Sequence, residues 1–216
     1  MRKTLTLLFI AGLLSAAFGQ QKKYMFVSLN SKHHSEQLSQ EALAKLMEGH
    51  LANIQRLAKE GKLLVAGPFD GGGGLFILNT GSIQEAKEWL STDPGIQAER
   101  WDVEVLPYDP RVGSVCVVNE NVEMVTYTYV RYIPSFTKFN IKDSPQTFRR
   151  HDDFVRKITD TGNVIAEGLL GERDGNILIL RGEVDRSLVE SSPGVQEGLL
   201  EFVIKKLWVG KGSFCE

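Results

Sequence analysis

From Tyr24 onward the spacing of apolar positions switches repeatedly between short runs and a three-and-four period, and each switch marks an element. The apolar run at 24–29 predicts a strand. Over 40–59, Leu43, Leu46, Met47, Ile54 and Leu57 recur at helical spacing, which predicts a long amphipathic helix. Then come a strand at 63–68, a Gly-rich turn from Gly71 to Gly74, a strand at 75–79, a short helix at 83–91 and a strand at 101–107. The order β-α-β-β-α-β then repeats. Strands fall at 125–132, 164–170, 177–181 and 199–209, helices at 146–161 and 185–190, and a turn at Asp174-Gly175.

Fixed offsets support the repeat. His50, Gly61 and Gly67 correspond to His151, Gly162 and Gly168, each 101 residues on, and Asp93-Pro94-Gly95 corresponds to Ser192-Pro193-Gly194 at an offset of 99. The expected fold class is α+β: two ferredoxin-like units, 24–108 and 124–210, joined by a linker at 109–123. Such a unit carries both helices on one sheet face. Two in one chain are expected to bury their open faces against each other, as an intrachain dimeric α/β barrel.

Residues 1–19 read differently. Arg2 and Lys3 precede an uncharged apolar run ending in Ala17 and Gly19, the grammar of a cleaved signal peptide, and the run is shorter than the ~20 residues of a membrane span. The mature chain is therefore expected in the periplasm or outside the cell, with no membrane span after cleavage. With 25 Lys+Arg against 27 Asp+Glu and no basic run, nucleic acid is not an expected partner. An oxidising compartment lets Cys116 and Cys215 pair, although Cys116 also reads as a buried hydrophobe and Cys215 as part of a loose tail. No metal site is expected from these cysteines, which lack a C-x₂-C pair.

His50 falls on the apolar stripe of the first long helix, and His151 holds the same register beside Phe148, Val155 and Ile158. A lone histidine there reads as a satisfied core group. Asp93, before Pro94, reads alone as a turn carboxylate. Together they suggest an imidazole oriented and charged by a carboxylate, the equipment of a general acid–base at neutral pH. His50 and Asp93 are thus the catalytic candidates; His151 and Ser192 are weakened counterparts, since a hydroxyl cannot hold an imidazolium by charge. Gly71 to Gly74 lack the Lys-Ser/Thr of a phosphate loop and read as a hairpin turn. Gly67, with Pro68 and Phe69, predicts either close backbone approach to a ligand or a strand bend. His33-His34 reads as a solvated loop rather than a metal site. Tyr24, Phe26, Phe69, Phe76 and Trp101 can wall a core or a pocket.

Gly49-His50-Leu51, Gly61-Lys62-Leu63, Gly67-Pro68-Phe69 and Asp93-Pro94, in that order, resemble the YCII-related family of the dimeric α/β-barrel superfamily. The second half is similar in layout but keeps only His151, Gly162, Gly168 and Pro193, as a degraded copy would. The resemblance implies a His–Asp dyad, here His50 and Asp93, lining a pocket. It also implies cofactor-free lyase or dehydrohalogenase-like chemistry on small, often aromatic or cyclic substrates, and a base without a cofactor fits isomerase chemistry as well. Gly95, where many members carry a bulkier residue, and Ser192 depart from the pattern. The expected protein is a small-molecule enzyme needing no cofactor, monomeric with an internal pseudo-dimer, or a dimer of these. The alternative is a non-catalytic binding or structural envelope protein of the same fold.

Overall fold

The computed structural model describes residues 24–32, 38–119, 121–135, 137, 139, 142–172 and 174–215. The expected signal peptide and His33-His34 lie outside the described residues. The first half runs β1 (Tyr24–Ser31), α1 (Gln40–Lys59), β2 (Leu63–Pro68), β3 (Gly74–Leu78), α2 (Ile83–Leu90), α3 (Pro94–Gln97) and β4 (Trp101–Val112), followed by the two-residue β5 (Ser114–Val115). The second half repeats the order: β6 (Met124–Pro134), α4 (Ser144–Thr159), β7 (Val164–Leu170), β8 (Asn176–Leu180), α5 (Arg186–Glu190), α6 (Pro193–Gln196) and β9 (Leu200–Gly210), then β10 (Phe214–Cys215).

Local chemistry sets these bounds. Ser39 accepts a hydrogen bond from the Ala42 amide and starts α1, and Gly61, at φ 69°, turns the chain out of it. Residues 40–45 are exposed, Leu43 among them, so the buried stripe of α1 begins at Leu46 and runs through His50, Asn53 and Leu57. The glycines at 71–73 all take positive φ in the β2–β3 turn, a conformation that L side chains resist.

All eight long strands form one antiparallel sheet in the order β2-β3-β1-β4-β7-β8-β6-β9. The halves join where β4 pairs with β7, Tyr108 opposite Leu170 and Pro110 opposite Gly168. The outer edges also meet: Phe69, just after β2, bridges Leu207 of β9, and the Asp70 amide donates to the Lys206 carbonyl at 3.0 Å. The repeat offsets map one junction onto the other, since the Gly171 amide donates likewise to the Pro107 carbonyl at 2.8 Å.

The stretch 109–123, expected as a linker, begins inside β4, which continues to Val112. Its partner is β7, far along the chain, so nothing local announced the extension. Cys215, expected in a loose tail, lies in β10, which pairs with β5, and is bonded to Cys116 across 99 residues. That separation equals the offset between Asp93 and Ser192. Gly113-Ser114-Val115-Cys116 and Gly212-Ser213-Phe214-Cys215 are therefore one motif met twice, with Val115 opposite Phe214.

Burial falls into three clusters. One packs Met25, Val27, Leu57, Phe76 and Leu78 between the first sheet half and its helices, and another packs Val130, Tyr132, Val155 and Leu178 likewise in the second. The third joins the opposite faces of both halves, with Phe26, Phe69 and Tyr108 against Tyr129, Leu170 and Leu207. Across that layer Arg131 of β6 grips Glu104 of β4 through two hydrogen bonds, at 2.5 and 3.0 Å.

Candidate active site

α1 brings His50 to the sheet because the residue shares the stripe of Ile54 and Leu57. The His50 ring lies 4.8 Å from that of Trp101, on β4, and 6.0 Å from that of Phe76, on β3. It is 6% exposed. Asp93 arrives from the other side, as the residue before α3. Its Oδ1 accepts from the amides of Gly95 at 2.8 Å and Ile96 at 3.1 Å, capping that short helix. Gly95 explains itself here: a Cβ would stand 2.5 Å from the Trp101 ring, so glycine lets Trp101 lie where it packs on His50.

His50 Nδ1 donates to Asp93 at 2.8 Å from Oδ2 and 3.0 Å from Oδ1. Since an ionised carboxylate only accepts, the proton sits on Nδ1, leaving the Nε2 lone pair for chemistry. Nε2 has no hydrogen-bond partner among the described residues. The Asn53 side chain, one turn past His50, donates to Asp93 Oδ2 at 3.1 Å. Its carbonyl oxygen in turn accepts from Arg56 at 2.8 Å and Thr92 at 3.0 Å. Asp93 is only 1% exposed. Burial by itself pushes its carboxyl upward, but the His50 bond and charge, with the Ile96 amide and Asn53, hold it below the usual carboxylate range.

The second half assembles a different set. His151 Nδ1 meets Ser192 Oγ at 2.7 Å, and its Nε2 donates to Asn176 Oδ1 at 3.2 Å. Both ring nitrogens are engaged, with the proton on Nε2, the opposite tautomer from His50. Burial lowers the His151 pKa and keeps the ring neutral. Asn176 donates onward to Glu167, itself 2% exposed and paired with Arg111 at 2.5 and 2.9 Å. Ser192 makes no side-chain cap to α6, unlike Asp93 at α3.

The structure thus brings His50 and Asp93 together, and His151 and Ser192 together. At Gly67 a Cβ would lie 2.7 Å from both the Leu207 side chain and the Trp208 carbonyl, so the glycine admits β9. Phe69 is buried in the layer between the halves. None of the hydrogen bonds or ring contacts of His50 reaches Gly67, Pro68 or Phe69. Pro68 and Phe69 instead line a small surface cavity of about 360 Å³ with Lys206 and Trp208. Sequence reasoning missed Asn53, although a polar residue three places after His50 on a buried stripe was a readable signal. It also missed Glu167, Asn176 and Arg111, which only the fold brings together.

No helix among the described residues is long and apolar enough to cross a membrane. Nor, among them, does any group of three or more His, Cys, Asp or Glu side chains stand ready to hold a metal ion. No curated protein matches the chain. The family match ends at residue 109, so the second half, expected as a degraded copy, is tied to the first by element order and register rather than by a family match of its own. Residues 25–109, which hold the His50–Asp93 pair, match the model of the YCII-related domain.

Proposed function

We propose that the first half is a cofactor-free small-molecule enzyme of the lyase, isomerase or dehydrohalogenase kind, with His50 as general base and Asp93 as its orienting partner. The supporting observation is the buried pair, His50 Nδ1 at 2.8 Å from a carboxylate that also receives two backbone amides and Asn53. Such a carboxylate stabilises the imidazolium formed when Nε2 takes a proton. The substrate C–H electrons then form a C=C bond as a leaving group departs with its pair, or the proton returns at a neighbouring carbon. Either course balances without an oxidant or metal.

On this reading the second half is a duplicated and non-catalytic unit, because His151 has neither a carboxylate partner nor a free ring nitrogen. The two units close as one α/β barrel within the chain, a reading supported by the matching β4–β7 and β2–β9 junctions. Export to the periplasm or beyond is supported by the N-terminal pattern of charge and hydropathy.

The test is turnover by wild type and Asp93→Asn of small cyclic and halogenated aromatic compounds, followed by halide release and ultraviolet absorbance. Asn keeps the acceptor that caps α3 but not the charge. Turnover should fall by about two to four orders of magnitude, the usual worth of positioned acid–base catalysis. Equal turnover by the two proteins would overturn the assignment.

A further inference from the structure

The two halves also differ at the C-terminal ends of their long helices, where α1 meets α2 and α4 meets α5. The Thr92 hydroxyl donates to the Trp89 carbonyl and the Ser191 hydroxyl to the Leu188 carbonyl, at the offset of 99 that relates Asp93 to Ser192. Leu188 therefore stands where the first half has Trp89. Counted back from there, α2 has eight residues and α5 only five, so the second half also lacks most of the first turn of α2. In the first half Trp89 packs on the cluster of Leu57 and Leu78, and Lys62 Nζ lies 5.5 Å from its ring centre. The Asn79 amide donates to the Lys62 carbonyl as the Arg181 amide donates to that of Asn163. The counterparts of Leu57, Lys62 and Leu78 are thus Ile158, Asn163 and Leu180.

A cavity of about 360 Å³ lies there, lined by Ile158, Asn163, Leu180 and Leu188. The place that an indole ring fills in one copy is open in the other. Phe154 and Val184 complete an apolar floor, and Leu188 is left 42% exposed. A dry apolar space of this kind accepts an aromatic ring, and the volume falls in the range of small-molecule sites. The mouth is charged, and its carboxylates are already engaged: Glu183 pairs with Lys206 at 2.5 Å, and Asp185 accepts from the Ser187 amide at the start of α5. Arg181 directs one nitrogen to the Gly162 carbonyl. Lys157 has no ion-pair partner among the described residues, so it leaves an uncompensated positive charge at the mouth. Every lining residue belongs to the second half, away from the His50–Asp93 pair.

We propose that this cavity is a binding site for planar aromatic acids the size of an indole carboxylate. The ring lies on Ile158 and Leu188, in the place of the missing indole, and the acid group lies toward Lys157. The second half is on this account a ligand-binding unit in its own right, and the site stands whether or not the His50–Asp93 pair turns over a substrate.

The experiment is a calorimetric titration of the full chain with indole-3-acetate and, for comparison, uncharged indole. The methyl resonances of Val184 and Leu188 and the ring resonances of His50 are followed by NMR. The acid should bind saturably, about threefold more tightly than indole, as a partly exposed charge pair allows. It should move the methyl signals and leave those of His50 still. Leu188→Trp supplies the missing ring and should abolish binding, while Lys157→Ala should bring the acid down to the affinity of indole. Where Leu188→Trp does not fold by circular dichroism, Thr161→Trp fills the same space from the exposed turn after α4. No saturable binding, binding indifferent to the filling variant, an acid bound no better than indole, or a ligand that moves the His50 signals and not the methyls would each overturn the proposal.

Discussion

His151 shows what a charge does and what its absence does. Burial lowers its pKa, so the folded chain binds the proton less readily than the unfolded chain. Its contribution is therefore complete above the unfolded value of about 6.5 and shrinks as pH falls below it. Thermal unfolding between pH 7.5 and 5.5 should show a decline that His151→Gln removes. Ser192→Asp should return a carboxylate to the ring and a cap to α6, raising the His151 pKa in an NMR titration. At this scale the pairing of His50 with Asp93 was readable, because stripe position and repeat offset both pointed to it. The partners that tune the histidines were not. Asn176 and Glu167 sit on neighbouring strands, and their meeting depends on register, which residue types alone do not fix.

Among elements, α3 carries more than its four residues suggest. It places Asp93 by demanding a cap, so Asp93→Ala should lose about 0.5–2 kcal/mol of stability beyond Asp93→Asn in urea unfolding, since Asn still caps. Gly95→Ala should cost about 1–3 kcal/mol by driving a methyl into Trp101, and should shift the His50 ring signals as Trp101 moves. The long helix α1 and the strands β2 and β7 stand at the bounds their apolar pattern predicts. The four-residue helices α3 and α6 were illegible because one turn shows no period. The end of β4, beyond Tyr108, was illegible for another reason: it is a strand only because β7 lies beside it.

At the scale of the whole molecule, the Arg111–Glu167 ion pair and the disulfide, beside the Arg131–Glu104 pair, tie the halves with unequal weight. Arg111→Leu leaves Glu167 buried without its cation and should cost about 3 kcal/mol, the low end for such a loss because the guanidinium is one-third exposed. Arg111→Gly with Glu167→Ala, which copies the first half, should cost less than Arg111→Leu alone. Cys116→Ser opens a loop of 99 residues and should remove about 4–5 kcal/mol, a fall in melting temperature on the order of 10 °C by calorimetry. The motif around each cysteine was present in the sequence at the offset already noted for Asp93 and Ser192. It escaped notice because one copy stood in an expected linker and the other beside the chain end.

The crosslink has a consequence for cleavage. Residues 117–122 follow Cys116 and precede β6, and Val117 is 76% exposed. A protease that cuts there divides the polypeptide into two fragments with one cysteine on each. The nicked protein stays a single covalent molecule on a non-reducing gel and separates into two bands once thiol is added. Its peptide continuity is dispensable for holding the halves at one another's side, and in a reducing compartment the same cut leaves the paired strands, their shared core and the Arg111–Glu167 and Arg131–Glu104 ion pairs to keep them together.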